Sequence, residues 1–387
     1  MGFSALSPYY HFKMPDYYQA YASTFPEDYA DQPFVSEAEL NAAEAALAPF
    51  GLPRDCFDFL RKETEALHRD LPRNRAARFL RYIVTEARQP WDNNLGALKF
   101  DFPDYQQRSF ELLMVIAVLG QTLTTDRRAP EEFNPFNFEE IASCTLTDTK
   151  KDGFWNVREW RWQQLLASGC MYRLGILRFQ PRRFPTDYYI LSDGTHTQAV
   201  MNGERFLDTA GCLVKTEAEG GVKTVWEEST DAWVAHAIMK DGTAELAPRL
   251  FSKDKWHIAI APNDMVLGYH IPNDVTAYTV EEHRNSFAMA KEFFKTRYPQ
   301  YDFKGIVCAS WLYSPQNKNF MKPDCNIMKV SQAVQICPMA FELPQNLFHI
   351  KAGTSLAARI ADYMESGGVW HDGLAVMTME EAENFGL

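Results

Sequence analysis

An imidazole closes an apolar run at VLGYHIP, Val266 to Pro272. A histidine with an ordinary pKa near ~6.5 exchanges protons at neutral pH after small changes in its surroundings. His270 can therefore do acid–base chemistry, or it can cap the loop by bonding a backbone carbonyl, as many strand-end polar groups do. A second apolar run, IVCASWLYSP from Ile306 to Pro315, also ends in polar and aromatic groups. Cys308 offers a thiol nucleophile or inert packing. Ser310 can bond a substrate or its own backbone. Tyr313 and Ser314 stand where a proton donor or a rim residue would stand, and Trp311 reads as core. Asn326 follows a turn, which it anchors unless it contacts a ligand. Strand side chains alternate, so Cys308 and Ser310 share one face, Ala309 and Trp311 the other, and Tyr269 points away from His270.

These residues need elements to hold them. Met265 to Ile271 reads as a strand, and Thr279-x-x-Glu282 is a capping box opening a helix to about Tyr298. Phe287, Ala290, Phe294 and Tyr298 lie on one helical face. Gly305 to Leu312 is the next strand, and a crossover of this length makes the two strands parallel and right-handed. Upstream, residues 1–35 form an irregular arm rich in Tyr, Phe and Pro. Ser36-x-x-Glu39 opens a helix bearing Leu40, Ala43, Leu47 and Phe50, stopped by Gly51 and Pro53. Further helical patterns run near 54–70, 75–88, 105–123 and 154–171. At about Tyr172 the character changes to strands at 173–179, 187–191, 197–201, 222–228 and 233–239. Turn signals such as Ser192-Asp193-Gly194 and Asp241-Gly242 separate them into an antiparallel meander. A last helix opens near Thr354 and ends at Gly367-Gly368. The expected fold is α+β: a mainly helical N-terminal domain over 36–171, then a mixed β-sheet domain with flanking helices over 172–387.

The 387 residues, 46% hydrophobic and 14% aromatic, supply a packed core for two or three domains. A net charge of −12, from 39 basic and 51 acidic residues, argues against nucleic-acid or anionic-membrane partners and leaves room for a local basic pocket. Seven cysteines without a CxxC pair fit free thiols in a reducing compartment. The N-terminus lacks a basic-then-apolar leader pattern, and Leu6 stands where a myristoylation motif wants Ser or Thr. The longest apolar run, Leu112 to Leu119, is too short to span a bilayer. These features set the expectation of a cytoplasmic protein acting on small molecules, and they leave its oligomeric state open. GxSxG, HExxH, GxGxxG and Walker-type loops are absent, and none of the nine histidines has zinc-like partner spacing, so no metal is expected.

The strand–helix–strand unit resembles a bacterial family of acyltransferase-domain proteins with a helical N-terminal N-acyltransferase domain and a GNAT-like (N-acetyltransferase-type) C-terminal domain. The resemblance is carried by YRLGILRF (172–179), APNDMVLGYHIP (261–272), SFAMAKEFF (286–294), VCASWLYSP (307–315), CNI (325–327) and AGTSLAARIADYMESGG (352–368). Against the shorter link of that family, residues 193–250 look like an insertion. The resemblance implies that the two parallel strands splay and admit an acyl chain between them. It implies acyl-CoA as co-substrate and an amine or hydroxyl as acceptor. It gives His270 the part of general base, Tyr313 that of proton donor to the leaving thiolate, and Cys308, Ser310 and Asn326 that of substrate contacts.

The sequence departs from that family at the phosphate loop. Where classical members open the central helix with a glycine-rich turn, this chain has Asn273-Asp274-Val275-Thr276-Ala277-Tyr278, followed by Glu281 and Glu282. Carboxylates in a first turn stabilise the helix but repel a phosphate at the same N–H groups, by about a few kcal/mol in a partly buried site. That argues against the usual pyrophosphate seat. Arg178, Arg182 and Arg183, on and after the first strand, can hold a phosphate from elsewhere, or can be solvated or ion-paired. Two functions stand: acyl transfer from a thioester to an amine or hydroxyl, and a non-catalytic GNAT-like ligand-binding protein that has lost the CoA site.

Overall fold

The computed structural model describes residues 21, 23–87, 89, 91, 107–125, 135–219, 221–272, 274–275, 277–342, 350 and 353–386. Most of the expected N-terminal arm lies outside the described residues. The chain divides into two compact units, Met1–Arg173 and Leu174–Leu387.

The first unit is helical: α1 (Glu37–Leu47), α2 (Arg54–Arg69), α3 (Leu71–Thr85), α4 (Gln107–Thr125), α5 (Pro135–Asp152) and α6 (Trp160–Ala167). Its first helix starts where the capping box places it. The Glu39 N–H donates to Ser36 Oγ at 3.3 Å, and the Ser36 N–H donates to the Glu39 carboxylate at 2.8 Å. Leu40, Ala43 and Leu47 then turn inward. α4 is the central helix, so Leu112 to Leu119 are buried on every side. Gly120 permits the crossing: a Cβ there would meet the Glu39 carbonyl oxygen at 2.6 Å. Glu39 is also ion-paired to Arg81, which is buried and donates to the Phe34 carbonyl and to Gln121 Oε1. The helix over 135–152 has no counterpart among the sequence-based patterns. The pattern expected at 154–171 reduces to the single short helix α6.

Among the described residues there are fifteen strands, the first at the boundary between the units and the others in the second. They are β1 (Tyr172–Leu174), β2 (Leu177–Arg183), β3 (Tyr188–Ser192), β4 (Thr197–Met201), β5 (Phe206–Leu207), β6 (Leu213–Val214), β7 (Val222–Lys223), β8 (Trp226–Glu228), β9 (Ala232–Ala235), β10 (Arg249–Ser252), β11 (His257–Ile260), β12 (Met265–His270), β13 (Gly305–Ser310), β14 (Gln335–Glu342) and β15 (His371–Thr378). The main sheet has the order β1-β2-β12-β13-β15-β14, and the remaining strands form three small antiparallel sheets. The run expected as one strand over 173–179 is broken at Gly175, whose φ of +64° makes a turn, and the Ile176 N–H there donates to Ser286 Oγ. Helix α7 (Val280–Arg297) crosses from β12 to the parallel β13, and the Glu282 N–H donates to its cap Thr279. After β13 come α8 (Asn326–Gln332), α9 (Ser355–Glu365) and α10 (Met379–Glu383).

The two faces of the main sheet differ. Phe179 and Tyr269 pair across β2 and β12 and pack on Phe287 of α7. On the other face Val266, Val307, Val376 and Leu374 form a core with Tyr188, Ile190 and Met201 of the small sheet. β15 closes the main sheet between β13 and β14.

β13 ends at Ser310, whose Oγ accepts from the Leu312 N–H and starts a 3-10 turn over Trp311–Tyr313. That turn lies against β15 at Gly373, where an added Cβ would sit 1.8 Å from the Tyr313 carbonyl oxygen. No side-chain rotation relieves a clash with backbone. Gly373→Ala should therefore cost about 3 kcal/mol, the upper part of the overpacking range. A urea midpoint unchanged by Gly373→Ala would refute the contact, and Gly221→Ala, in open space and without a positive φ, serves as the control for loss of a glycine.

Candidate functional site: an opening between parallel strands

β12 is laddered to β2 over its whole length, Met265 to His270, and β13 is laddered to β15 from Gly305 to Ser310. The two inner strands meet only at Leu267↔Ile306 and Gly268↔Val307. Beyond those positions they part. Ala309, on an inner strand at this level, is exposed, although Gly305 to Cys308 before it are buried.

Registry assigns the side chains. Opposed residues of an antiparallel pair share a face, so Arg178, Gln180 and Arg182 of β2 lie with His270, Gly268 and Val266 of β12. The parallel pair adds Val307 and Ala309, and β15 adds Leu374 and, two residues earlier, Asp372. Gly268 makes this face workable. A Cβ there would lie 3.1 Å from Cδ of Arg182 and 3.6 Å from Cγ of Gln180. The Arg182 stem thus lies across β12, and its guanidinium is carried toward the opening.

The electrostatics follow from burial. Burial, then the charges of Arg182 and Arg178, push the His270 pKa down to about 3. His270 is neutral at physiological pH, and its Nε2 lies 3.1 Å from Nε2 of Gln180. Gln180 is 1% exposed, and its Oε1 has no partner among the described residues. Burial also pushes Arg182 down. Among the described residues its guanidinium makes no hydrogen bond or ion pair. Asp372, half-buried, is pushed up to about 6 by burial. The face therefore holds a cation and a carboxylate that do not meet, with a neutral imidazole and an unsatisfied amide oxygen. Unpaired buried charges are costly, so such groups mark places where a ligand completes the pairing.

Not every sequence-based candidate reaches this face. Cys308 and Ser310 do share a side, but it is the side of Tyr269 and α7. Cys308 is 2% exposed and burial pushes its thiol up, so it packs and is no nucleophile. Ser310 is the cap of the 3-10 turn. Tyr313 is fully buried, with its hydroxyl 2.5 Å from that of Tyr269 and 3.2 Å from that of Tyr278. Burial holds all three phenols well above their usual range. Tyr313 is a core residue sealed from His270 by the sheet, not a strand-end rim. Arg183 alternates to the other side, is exposed and donates to the Asn263 carbonyl at 3.2 Å, apart from Arg178 and Arg182. Asn326 is an exposed first-turn residue of α8. In the loop before α7, Asn273 and Thr276 lie outside the described residues. Glu281 is exposed and Glu282 half-buried. At such exposure water screens their charge, and each opposes an anion by well under ~1 kcal/mol, less than the sequence argument assumed. Among the described residues no group of His, Cys, Asp and Glu is gathered to hold a metal, and no helix is long and apolar enough to cross a membrane.

Residues 171–377 match the family described as the GNAT-like C-terminal domain. The chain belongs to that family. Solved structures extend the likeness of fold across both units. One is an acyltransferase mutant in complex with octanoyl-CoA, with a TM-score of 0.57 at 13% identity over 98% of this chain and 99% of that one. Another is an acyltransferase in complex with CoA and 10C-teicoplanin, with a TM-score of 0.54 at 13% identity over 95% and 96%. A third, an acyltransferase in complex with decanoyl-CoA, has a TM-score of 0.51 at 13% identity over 87% and 86%. None of the curated proteins matches the chain.

Within the GNAT-like domain, a second histidine, His283 of α7, is pushed down to about 4 by burial. Both imidazoles have folded pKa values below the unfolded ~6.5. Their neutral forms favour folding fully above that value, and the contribution is lost as pH falls toward 4 and 3. Asp372 runs the other way, penalising the fold as pH rises from about 4 to 6. In urea titrations, wild type should lose about 3 kcal/mol more than His270→Gln between pH 7 and pH 4. Parallel losses in the two proteins would show that His270 titrates normally.

Proposed function

We propose that this protein transfers an acyl group from a CoA thioester to an amine or hydroxyl acceptor in the opening between β12 and β13. The observation that carries the reading is the parting of two parallel strands after two paired positions. An acyl-pantetheine chain is slender and carries amides that can take up the backbone groups a full ladder would have used. The structural neighbours of this fold are acyltransferases holding octanoyl-CoA, decanoyl-CoA or CoA, two of the three with a fatty acyl donor.

In the reaction the acceptor's lone pair attacks the thioester carbonyl carbon. The C–S bond breaks, and sulfur leaves as the thiolate. The protein supplies position and charge. Arg182 lies where negative charge develops on the carbonyl oxygen, and preorganised cations at that place lower the barrier. Arg178 adds to the same field. His270, kept neutral by burial and then by the charges of those arginines, serves as a hydrogen-bonding group oriented by Gln180. A base with its pKa near 3 is weak at neutral pH, so the proton-accepting part first given to His270 fits it poorly.

The test has two arms. Octanoyl-CoA at a hundredfold excess over its Kd should stabilise the fold by ~2.7 kcal/mol, a shift of several degrees in melting temperature, and AMP should not. CoA thiol should be released from octanoyl-CoA at a rate that Ala309→Trp, which fills the opening, lowers about a hundredfold while leaving the melting temperature within about 2 °C. Binding without thiol release would establish the non-catalytic reading. Unchanged turnover in Ala309→Trp would remove the reaction from this opening.

A further inference from the structure

A second concave site lies beyond the strand ends. β13 gives way at Ser310 to the turn over Trp311–Tyr313, and a further 3-10 turn over Pro315–Asn319 leads into Phe320 and Met321. Those two are buried with Ile360 of α9 and with Trp370, the residue before β15. The Phe320 ring lies 5.6 Å from that of Trp370 and 5.4 Å from that of Tyr363 on α9. Asn317 anchors the loop, donating to the Trp311 carbonyl at 2.9 Å and accepting from the Trp370 indole N–H at 3.1 Å. Between this loop and α9 is a cleft of about 600 Å³, lined on its ring side by Phe320 and Tyr363 and on its polar side by Asn319, Lys322, Arg359 and Asp362. Asn319 Nδ2 donates to the Tyr363 hydroxyl at 3.1 Å, and that hydroxyl donates to the Val369 carbonyl at 3.2 Å, so the tyrosine is fixed. The two cations are not engaged. Among the described residues neither the Lys322 ammonium nor the Arg359 guanidinium makes a hydrogen bond or ion pair, and Arg359 Nε is buried without a partner. Arg359 and Asp362 stand at the i, i+3 spacing that favours pairing along a helix, yet they do not pair.

We propose that this cleft seats the nucleotide end of the donor, with Lys322 and Arg359 clamping the 3′-phosphate of the CoA adenosine. The assignment rests on the acyl-transfer reading and extends it to atoms far from the thioester. Position supports it. β13 and β15 pair as far as Ser310 and Gly373, the end at which β12 and β13 have parted. Trp370, which Phe320 touches, is three residues before Gly373, ~10 Å along an extended chain. The cleft therefore lies past the wide end of the opening, within the span of a phosphopantetheine arm. Charge supports it too. Two unpaired cations match a phosphate monoester, which carries nearly two negative charges at neutral pH, and an arginine offers it a fork of parallel N–H donors. Asp362 is exposed, so water weakens its repulsion. The ribose 2′-hydroxyl beside a 3′-phosphate can donate to it, as ribose hydroxyls do to carboxylates in dinucleotide sites. Phe320 and Tyr363 supply ring surface for the adenine, in a volume ordinary for small-molecule sites. The need for such an anchor is local. Residues 273–278, before α7, contain no glycine to bring their backbone onto a phosphate.

The experiment measures, by calorimetry, the binding of octanoyl-CoA and of octanoyl-3′-dephospho-CoA, which differ by that one phosphate. Wild type should bind octanoyl-CoA at least about tenfold more tightly. K322A and R359A should each raise its Kd about tenfold, and the double variant should lose the preference altogether. The Kd for the dephospho compound should stay within about twofold in all three, which also shows that the variants are folded. R359K, which keeps the charge and loses the fork, should fall between wild type and R359A. Adenosine 3′,5′-bisphosphate should bind wild type and not the double variant, and AMP, which lacks the 3′-phosphate, should bind neither. A wild type that does not distinguish the two thioesters, or a double variant that weakens both equally, overturns the proposal. If neither thioester binds and no thiol is released, the acyl-transfer reading fails. The bisphosphate then decides for the cleft alone: binding that the double variant abolishes keeps it as a 3′-phosphate site, and no binding overturns it.

Discussion

Two strands cannot ladder to each other where each is held fully by a different neighbour that draws it away. β12 is fixed to β2 at every residue from Met265 to His270, and β13 to β15 at every residue from Gly305 to Ser310. Each antiparallel ladder carries its own right-handed twist. The inner pair holds for Leu267 and Gly268 and then yields. The backbone N–H and C=O groups that would have continued the ladder are left facing an opening. In water alone they are a liability of the kind found on any sheet edge. Flanked by two rigid ladders they are fixed donors and acceptors at known spacing, the arrangement that preorganised binding requires.

The sheet then sorts chemistry by face. On the α7 side, Tyr269, Tyr278 and Tyr313 join their hydroxyls beneath Phe179 and Phe287, and His283 Nε2 is left without a partner among the described residues. On the other side the Gln180 Oε1, the Arg182 guanidinium and the Asp372 carboxylate have no partner among the described residues. Two glycines make this division possible. Gly268 gives Arg182 a path across β12, and Gly373 lets the Tyr313 carbonyl press on β15. A side chain at the first would press on the Arg182 stem, which would have to yield by a few tenths of an ångström. At the second it would push away the turn that keeps β13 from continuing alongside Asp372. Each glycine forgoes side-chain packing, and β-propensity alone would not place either one in a strand interior.

Much of this was legible beforehand. Thr279 caps α7, the crossover is parallel, and the apolar face of α7 is the predicted one. α+β class, the helical first half and the GNAT-like character of the second were readable from motif order. The pairing of faces was not. Parity within one strand separates Tyr269 from His270, but the register between β12 and β13 decides that Cys308 joins Tyr269, and register is a tertiary fact. β15 escaped for a local reason. His371-Asp372-Gly373 carries the Asp-Gly signature of a turn, and the apolar run LAVM after it fits a buried strand and a helix equally. Gly373 is there for the Tyr313 carbonyl, not for a turn. Arg182 was a sequence-based candidate for holding a phosphate, but its course across β12 was not foreseen; the signal for it was Gly268, a lone glycine inside a strand pattern, which implies a close approach by another chain segment.

The charge of the whole molecule has little say at this face. A net −12 taken alone disfavours a donor bearing phosphates. At physiological salt, however, charges more than ~8 Å apart across solvent are largely screened. What an incoming anion meets at short range is Arg178 and Arg182, with a neutral His270 between them and the water. Asp372 does not cancel them, because direct contact within the opening is not made. If the two had paired, each would be stabilised and the face would be electrostatically mute. Holding them apart raises the free energy of the empty protein and makes the field of the opening bipolar, positive toward β2 and negative toward β15. In the proposed transfer, a donor that gains negative charge on its carbonyl oxygen and an acceptor that gains positive charge would match that field in only one orientation, so the separation that destabilises the resting fold would order the two reactants.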